Sequence, residues 1–375
     1  MKRIVILCDG TWRRSDAPYP TNVVRLAQAV SRRDQVVRYL PGVGSGRGST
    51  TVARVADRML GGAMGLGLDA SIEAAYRFLA LNHEPGDAIH LFGFSRGAYT
   101  ARSLVGLLRT CGLPDGRDLR HVAEAMALYR RRGPGAHPDD PTPAAFREAH
   151  SPLATGELEA LRRRVPRLRV AFLGVWDTVG ALGVPSRTPL GARLNRRFAF
   201  HDTRLSSLVE SARHALALDE RRPSFAPTLW EPPDEGDRYQ QKWFPGDHGS
   251  VGGGTEATGL SAAALLWIAE GAAEAGLGLD AAALAALAAE VDPLAPLGEG
   301  TRPRGVVDRL LRMGSRDREG PARLDELSEA ALRRWLHRGE PPGWPYRPAA
   351  LKGLADVVDP PAPAGSAGGG RPAQG

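Results

Sequence analysis

The richest chemistry in the chain lies in Gly93-Phe94-Ser95-Arg96-Gly97. It fits G-x-S-x-G, with an apolar run over residues 88–94 leading in and a helical pattern over 96–108 leading out. A strand–turn–helix of this kind holds a serine on a strained backbone with its hydroxyl projecting. The new helix also points its positive end at the hydroxyl's surroundings. Read blandly, Ser95 is only an N-cap between glycines chosen for the turn. A serine hydroxyl is a weak nucleophile near neutral pH and needs a base to take its proton. Among nine histidines, His83, His121, His137, His150 and His337 sit in polar or proline-flanked stretches and read as surface groups. His90 lies inside an apolar run, and His201 and His214 fall in an arginine-rich, proline-broken stretch. His248 stands in Pro245-Gly246-Asp247-His248-Gly249-Ser250-Val251-Gly252-Gly253-Gly254. Such a glycine-rich loop can carry an imidazole close to another loop without clashes. A turn histidine without function is the alternative.

The third partner should be a buried acid at a strand end, fixing the imidazole tautomer and balancing its charge. Asp177, closing the apolar run of residues 172–176, is placed for that. Asp247 competes, although a sequence neighbour of a histidine seldom reaches its far nitrogen. Asp202 and Asp219 are weaker candidates. An oxyanion forming at the serine would need the backbone N–H of Arg96 and a second N–H from a neighbouring strand-end loop. Asp9-Gly10-Thr11 supplies that loop, with Gly10 or Thr11 as donor, or else is an ordinary tight turn.

The elements that must position these groups are short apolar runs alternating with helical patterns. Strands are expected over residues 3–8, 35–40, 88–94 and 168–176, with another ending near Phe244. Helices are expected from Asp69 to about Leu81, after Ser95, and over 258–290. This alternation favours a mostly parallel sheet flanked by helices. Residues 114–166 and 185–237, rich in arginine and proline, read as helical insertions over the active site, beyond the strand ends where ligands bind in such sheets. The chain order Ser95, Asp177, His248 is that of an α/β-hydrolase. The expected division is a catalytic domain over 1–295, a helical or irregular extension over 296–358, and a disordered tail over 359–375.

Composition narrows the rest. The chain has 375 residues and a formal charge of +7, nearly all of the basic excess being arginine. The arginines are scattered and not interleaved with aromatics, so no nucleic-acid groove is expected. Cys8 and Cys111 make no disulfide framework. The apolar stretch near the N-terminus spans only residues 4–8, too short for a signal-peptide core or a membrane span. Histidine and cysteine spacings give no metal site. No cofactor motif survives: Asp9-Gly10-Thr11 lacks the first acid of a phosphatase signature, no strand feeds Gly65-Leu66-Gly67, and no phosphate loop is present.

Cys8-Asp9-Gly10-Thr11-Trp12, Pro41-Gly42-Val43-Gly44, Gly67-Leu68-Asp69 with Ala75-Tyr76, residues 91–102, Val175-Trp176-Asp177-Thr178-Val179, and Trp243-Phe244-Pro245-Gly246 with His248 together resemble one family. It is the α/β-hydrolase family of type VI secretion phospholipase effectors and many uncharacterised bacterial and fungal relatives. The likeness runs over about residues 1–266. It implies a Ser95–Asp177–His248 triad and phospholipase A-type ester hydrolysis. Relatives usually carry Asn where this chain has Arg13, and an acid where it has Ser250. The expected function is therefore a serine hydrolase of lipid esters, with a phospholipid membrane surface as a possible partner. The alternatives are a cytosolic small-molecule esterase or a hydrolase-fold binding protein with little catalysis. The expected location is the cytoplasm, or outside it by a specialised secretion machine that needs no cleavable signal. Acyl chain, headgroup and oligomeric state are not encoded legibly.

Overall fold

The runs over residues 3–8, 88–94 and 170–176 are almost wholly apolar on both faces, as strands covered on both sides by helices must be, and they lie side by side in one parallel sheet. A computed structural model describes residues 2–44, 62–180, 204–231, 238–297, 315–337 and 345–354. Among these, six strands form the sheet: β1 (Arg3–Cys8), β2 (Gln35–Leu40), β3 (Ala88–Phe94), β4 (Val170–Trp176), β5 (Val209–Ala217) and β6 (Tyr239–Phe244). Their order is β2-β1-β3-β4-β5-β6, and every neighbouring pair is parallel. This is the α/β-hydrolase class of fold.

Alternation along β1 splits the core. Ile4, Ile6 and Cys8 face α2 (Gly62–Asn82) and α3 (Arg96–Cys111), where Leu68, Ile72, Leu104 and Leu108 are buried. Val5 and Leu7 face α1 (Asn22–Ala29) and α8 (Gly259–Glu274), packing with Leu26, Leu265 and Ile268. The chain passes from β1 to β2 on one side and then to β3 on the other. The carboxyl ends of β1 and β3 therefore flank the point where the winding reverses, the usual crevice for ligands in an open parallel sheet. Asp9-Gly10-Thr11 follows one of these ends and Ser95 the other.

The stretch 114–166 is helical, as expected: α4 (Val122–Tyr129), α5 (Pro141–His150) and α6 (Glu157–Arg163). It rests on the later turns of α3, where Arg147 donates to the Arg109 and Thr110 carbonyls. That is the end of α3 away from Ser95. The stretch 185–237 departs from its expectation. Residues 204–231 carry β5, a fully paired sheet strand, in place of a helical insertion. Its alanines, with Arg213 and His214, look helical and polar in sequence. In the fold Ala212, Ala215 and Ala217 are buried, Arg213 donates to the Trp267 carbonyl, and His214 pairs with the Gln241 side chain. His201, Asp202 and the 359–375 tail lie outside the described residues.

The chain then runs through α7 (His248–Gly252), α8 and α9 (Ala281–Ala289), and later α10 (Glu329–Leu336). Residues 315–337 and 345–354 do not stand apart from the sheet. Leu327, Ala331, Trp335 and Leu351 cluster with Leu216, Leu218 and Trp243 beside β5 and β6.

Candidate active site

Ser95 sits between β3 and α3 with φ 59° and ψ −120°, a conformation few non-glycine residues adopt. Its N–H is held by the Trp176 carbonyl at 3.0 Å, which extends the β3–β4 ladder into the turn. Small residues make the turn possible. A Cβ on Gly97 would lie 2.1 Å from the Cys8 carbonyl oxygen, and one on Gly93 would lie 2.4 Å from the Gly97 carbonyl oxygen. Helix α3 can therefore press directly onto β1 only with glycine at both positions. Trp12 and Asp177 also have positive φ, 59° and 41°. Three strand-end loops thus carry backbone strain side by side, a pattern typical of functional sites.

Asp177 follows β4 and is fully buried. Its backbone N–H donates to the Ala215 carbonyl at 2.8 Å, while its carboxylate accepts from the Ala217 N–H at 3.1 Å. Oδ2 accepts from His248 Nδ1 at 2.6 Å. That contact fixes the imidazole tautomer, with Nε2 left for other chemistry. His248 opens α7, whose N-cap is Asp247; Asp247 Oδ1 accepts from both the N–H and the hydroxyl of Ser250 at 2.9 Å. Asp247 is thus a capping residue and Ser250 its partner, which closes the loop without the acid usual in relatives. Asp219 braces the same loop, accepting from the Gly246 N–H at 2.6 Å and from the Tyr346 hydroxyl at 2.8 Å. Neither acid reaches the far side of the imidazole.

The ring of His248 lies between Phe94, at a centroid distance of 4.6 Å, and Phe225, edge-on at 4.7 Å. Phe94 precedes Ser95, so serine and imidazole belong to one cluster. The two groups make no hydrogen bond to each other in this arrangement; in unliganded hydrolases that contact is commonly long and tightens with substrate.

Residues that the sequence did not single out complete the surroundings. Arg318 clamps the Asp177 carboxylate with Nη1 to Oδ1 at 2.7 Å and Nη2 to Oδ2 at 3.0 Å, and donates to the Ala217 and Phe225 carbonyls. Burial pushes the Asp177 carboxyl up, but Arg318 and His248 more than offset it and hold it well below the usual carboxylate range. Burial pulls the His248 imidazole below its usual value, against the opposite pull of Asp177 and of Glu220. Glu220 also accepts the His248 N–H at 3.3 Å. His214 on β5 accepts the Thr178 N–H at 3.1 Å and so braces the residue after Asp177. Burial lowers its pKa to about 3, and it acts as a neutral core group.

The loop after β1 is organised by Asp9, which accepts from Tyr39 and Thr21 hydroxyls at 2.7 and 2.9 Å. It also accepts the Gly10 N–H at 2.7 Å. Of the two donors expected for an oxyanion, Gly10 is therefore committed to Asp9, because a carboxylate adjoining its own turn outcompetes a distant acceptor. The Thr11 amide has no such partner, and the Thr11 hydroxyl accepts from Arg96 Nε. Gly10 also leaves room for its neighbours, since a Cβ there would meet Phe94 at 3.1 Å and Ser95 at 3.4 Å.

A cavity of about 640 Å³ opens elsewhere, beside α3 and the 129–139 loop, lined by Arg102, Arg109, Arg132, Tyr129 and Trp230 among others. It includes none of Ser95, Asp177 and His248.

A relative from Saccharomyces cerevisiae, itself uncharacterised, is 32% identical over 243 residues, covering 62% of this chain and 33% of its own. The chain thus spans about a third of that relative's length. Among solved structures, an uncharacterised Pseudomonas aeruginosa protein aligns over 83% of this chain and 52% of its own, with 16% identity and a TM-score of 0.42. A Tle1 effector bound to the VgrG spike of the type 6 secretion system aligns over 69% of this chain and 53% of its own, with 18% identity and a TM-score of 0.33. Both structural likenesses are remote, and the assignment rests on sequence. Residues 2–271 match the model of the T6SS phospholipase effector Tle1-like catalytic domain, and the chain belongs to that family.

Proposed function

We propose that the chain is a serine ester hydrolase, with Ser95 as nucleophile, His248 as base and Asp177 as the acid that orients it. The observation that carries this reading is the buried 2.6 Å Asp177–His248 hydrogen bond beside the positive-φ elbow of Ser95. In this mechanism His248 Nε2 takes the Ser95 proton as Oγ bonds to the substrate carbonyl carbon. The charged carbonyl oxygen is held by the N–H groups of Arg96 and Thr11. Collapse breaks the ester bond, and the leaving alkoxide takes the proton from His248. Water, deprotonated by the same ring, then cleaves the acyl-enzyme and regenerates Ser95.

The proposed substrate class is lipid ester, foremost phospholipid, on the strength of family membership. Export by a specialised secretion machine is part of the same reading. The competing reading, a binding protein without catalysis, depended on Ser250 loosening the histidine loop. The Asp247–Ser250 bonds and the Asp177–His248 bond favour an oriented, usable imidazole.

Fluorophosphonate labelling of the purified protein tests the serine. Wild type is expected to label and Ser95→Ala not to, with hydrolysis falling on the order of 10⁶-fold. A folded wild type that resists the probe would end the serine-hydrolase reading. Labelling together with hydrolysis of soluble short-chain esters only, and none of phosphatidylglycerol or phosphatidylethanolamine vesicles, would replace phospholipid by a small ester.

A further inference from the structure

Away from the serine site, the packing of α4 against α5 gathers three side chains that sequence spacing left unconnected. His121 immediately precedes α4, Glu124 lies three residues later on the same helical face, and His150 is the last residue of α5. One ligand atom from each residue lies within 4.8 Å of the other two. His121 Nδ1 and Glu124 Oε2 are 3.3 Å apart. That separation is the edge of a tetrahedron whose ligand bonds measure about 2.0–2.1 Å. The His121 and His150 rings stack at 3.9 Å and 26°, with Phe146 on His150 at 4.7 Å, so one imidazole must turn out of the stack for both to hold a single ion in their ring planes.

The nearby cations are already balanced. Arg117 pairs with Asp115 at 2.7 Å, Arg120 with Asp118 at 2.8 Å, and Arg162 with Glu148 at 3.1 Å. Arg147 turns to Glu159 and to backbone carbonyls. Two imidazoles and one carboxylate suit a borderline transition ion; calcium and magnesium prefer sets made of oxygen alone.

We propose that His121, Glu124 and His150 form a binding site for a divalent transition metal ion of the zinc class, with water completing the coordination. The ion ties the start of α4 to the end of α5. It therefore acts as a clasp on the helical layer over α3, independent of the reaction at Ser95.

The test uses the full chain after chelator treatment and dialysis. Co²⁺ is titrated while following visible absorption, and Zn²⁺ while following the melting temperature. One ion per chain, intense tetrahedral Co²⁺ bands and a rise of a few degrees in Tm with Zn²⁺ are expected. Affinity should fall at least about 10-fold in Glu124→Gln, whose exposed side chain puts the fold at little risk, and further in His150→Ala. His137→Ala, altering an exposed histidine outside the cluster, should bind like wild type. Sub-stoichiometric binding, or equal affinity in wild type and Glu124→Gln, would overturn the site.

Discussion

At the scale of single residues, the decisive feature is a carboxylate shared between a histidine and an arginine. In the proposed reaction Asp177 balances the imidazolium that forms during ester cleavage, yet Arg318 already offsets part of its charge. The two effects can be separated. Arg318→Gln leaves Asp177 facing His248 alone, so the protonated imidazole gains stability and its pKa rises. The pH at which fluorophosphonate labelling rises should move upward by about one unit, a usual size for a charge removed at this range. Arg318→Lys should recover part of the shift. An unchanged pH profile in a folded Arg318→Gln protein would remove Arg318 from the positioning apparatus. Asp177→Asn should instead lower kcat about 10⁴-fold through the wrong tautomer. It also strands a buried guanidinium, costing about 3–5 kcal/mol in a denaturant titration. The legibility of the site follows the same division. Ser95, Asp177 and His248 each stand beside a local signal, an elbow, a strand end or a glycine-rich loop. Arg318 sits in the charged run Arg316-Asp317-Arg318-Glu319, which reads as surface until the fold buries one member of it. The Asp9 bond to the Gly10 amide is equally invisible in sequence, because it depends on the rotamer of one carboxylate.

At the scale of elements, the elbow works because α3 touches β1 without any side chain between them. Gly97→Ala would place a Cβ 2.1 Å from the Cys8 oxygen and 2.6 Å from the Asp9 oxygen. Both are backbone atoms, so relief requires α3 to lift from β1 and Ser95 to move away from Thr11. Labelling is expected to slow by about 100-fold or more, since catalytic groups displaced by about 1 Å lose that much. Tm should fall as well. Gly156→Ala, with open space around its Cβ, is the control and should change neither. Normal labelling of Gly97→Ala would show that the helix tolerates displacement. The elements around this contact were readable: β1, β2 and β3 match their expected bounds, because each is a short, mainly apolar run between turn residues. Strand β5 was not, because Glu210, Arg213 and His214 interrupt its apolar pattern. Their partners, such as Glu274 for Arg213, come from elements distant in sequence.

At the scale of the whole molecule, the proposed catalytic unit extends beyond the matched family region. That match ends at residue 271, whereas the acid at the site is clamped from residue 318. Residues 315–337 and 345–354 also cover the β6 side of the sheet. The Ser328 N–H donates to the Trp243 carbonyl at 3.0 Å, and Trp335 and Leu351 are buried against Leu216, Leu218 and Trp243. An exposed parallel edge bearing those side chains would be an aggregation surface. A division into a catalytic domain over 1–295 and an appended extension therefore predicts the wrong behaviour for the isolated first part. A chain ending at residue 297 should lose labelling and self-associate, because it gives up the clamp and the apolar cover together. Full-length Arg318→Gln separates the two losses. It should keep the wild-type oligomeric state by light scattering with a shifted pH profile, whereas the truncated chain should fail in both respects. If the truncated chain keeps the wild-type oligomeric state and labels with the wild-type pH dependence, the proposed catalytic unit ends before the extension, and the Arg318 clamp serves neither stability nor chemistry.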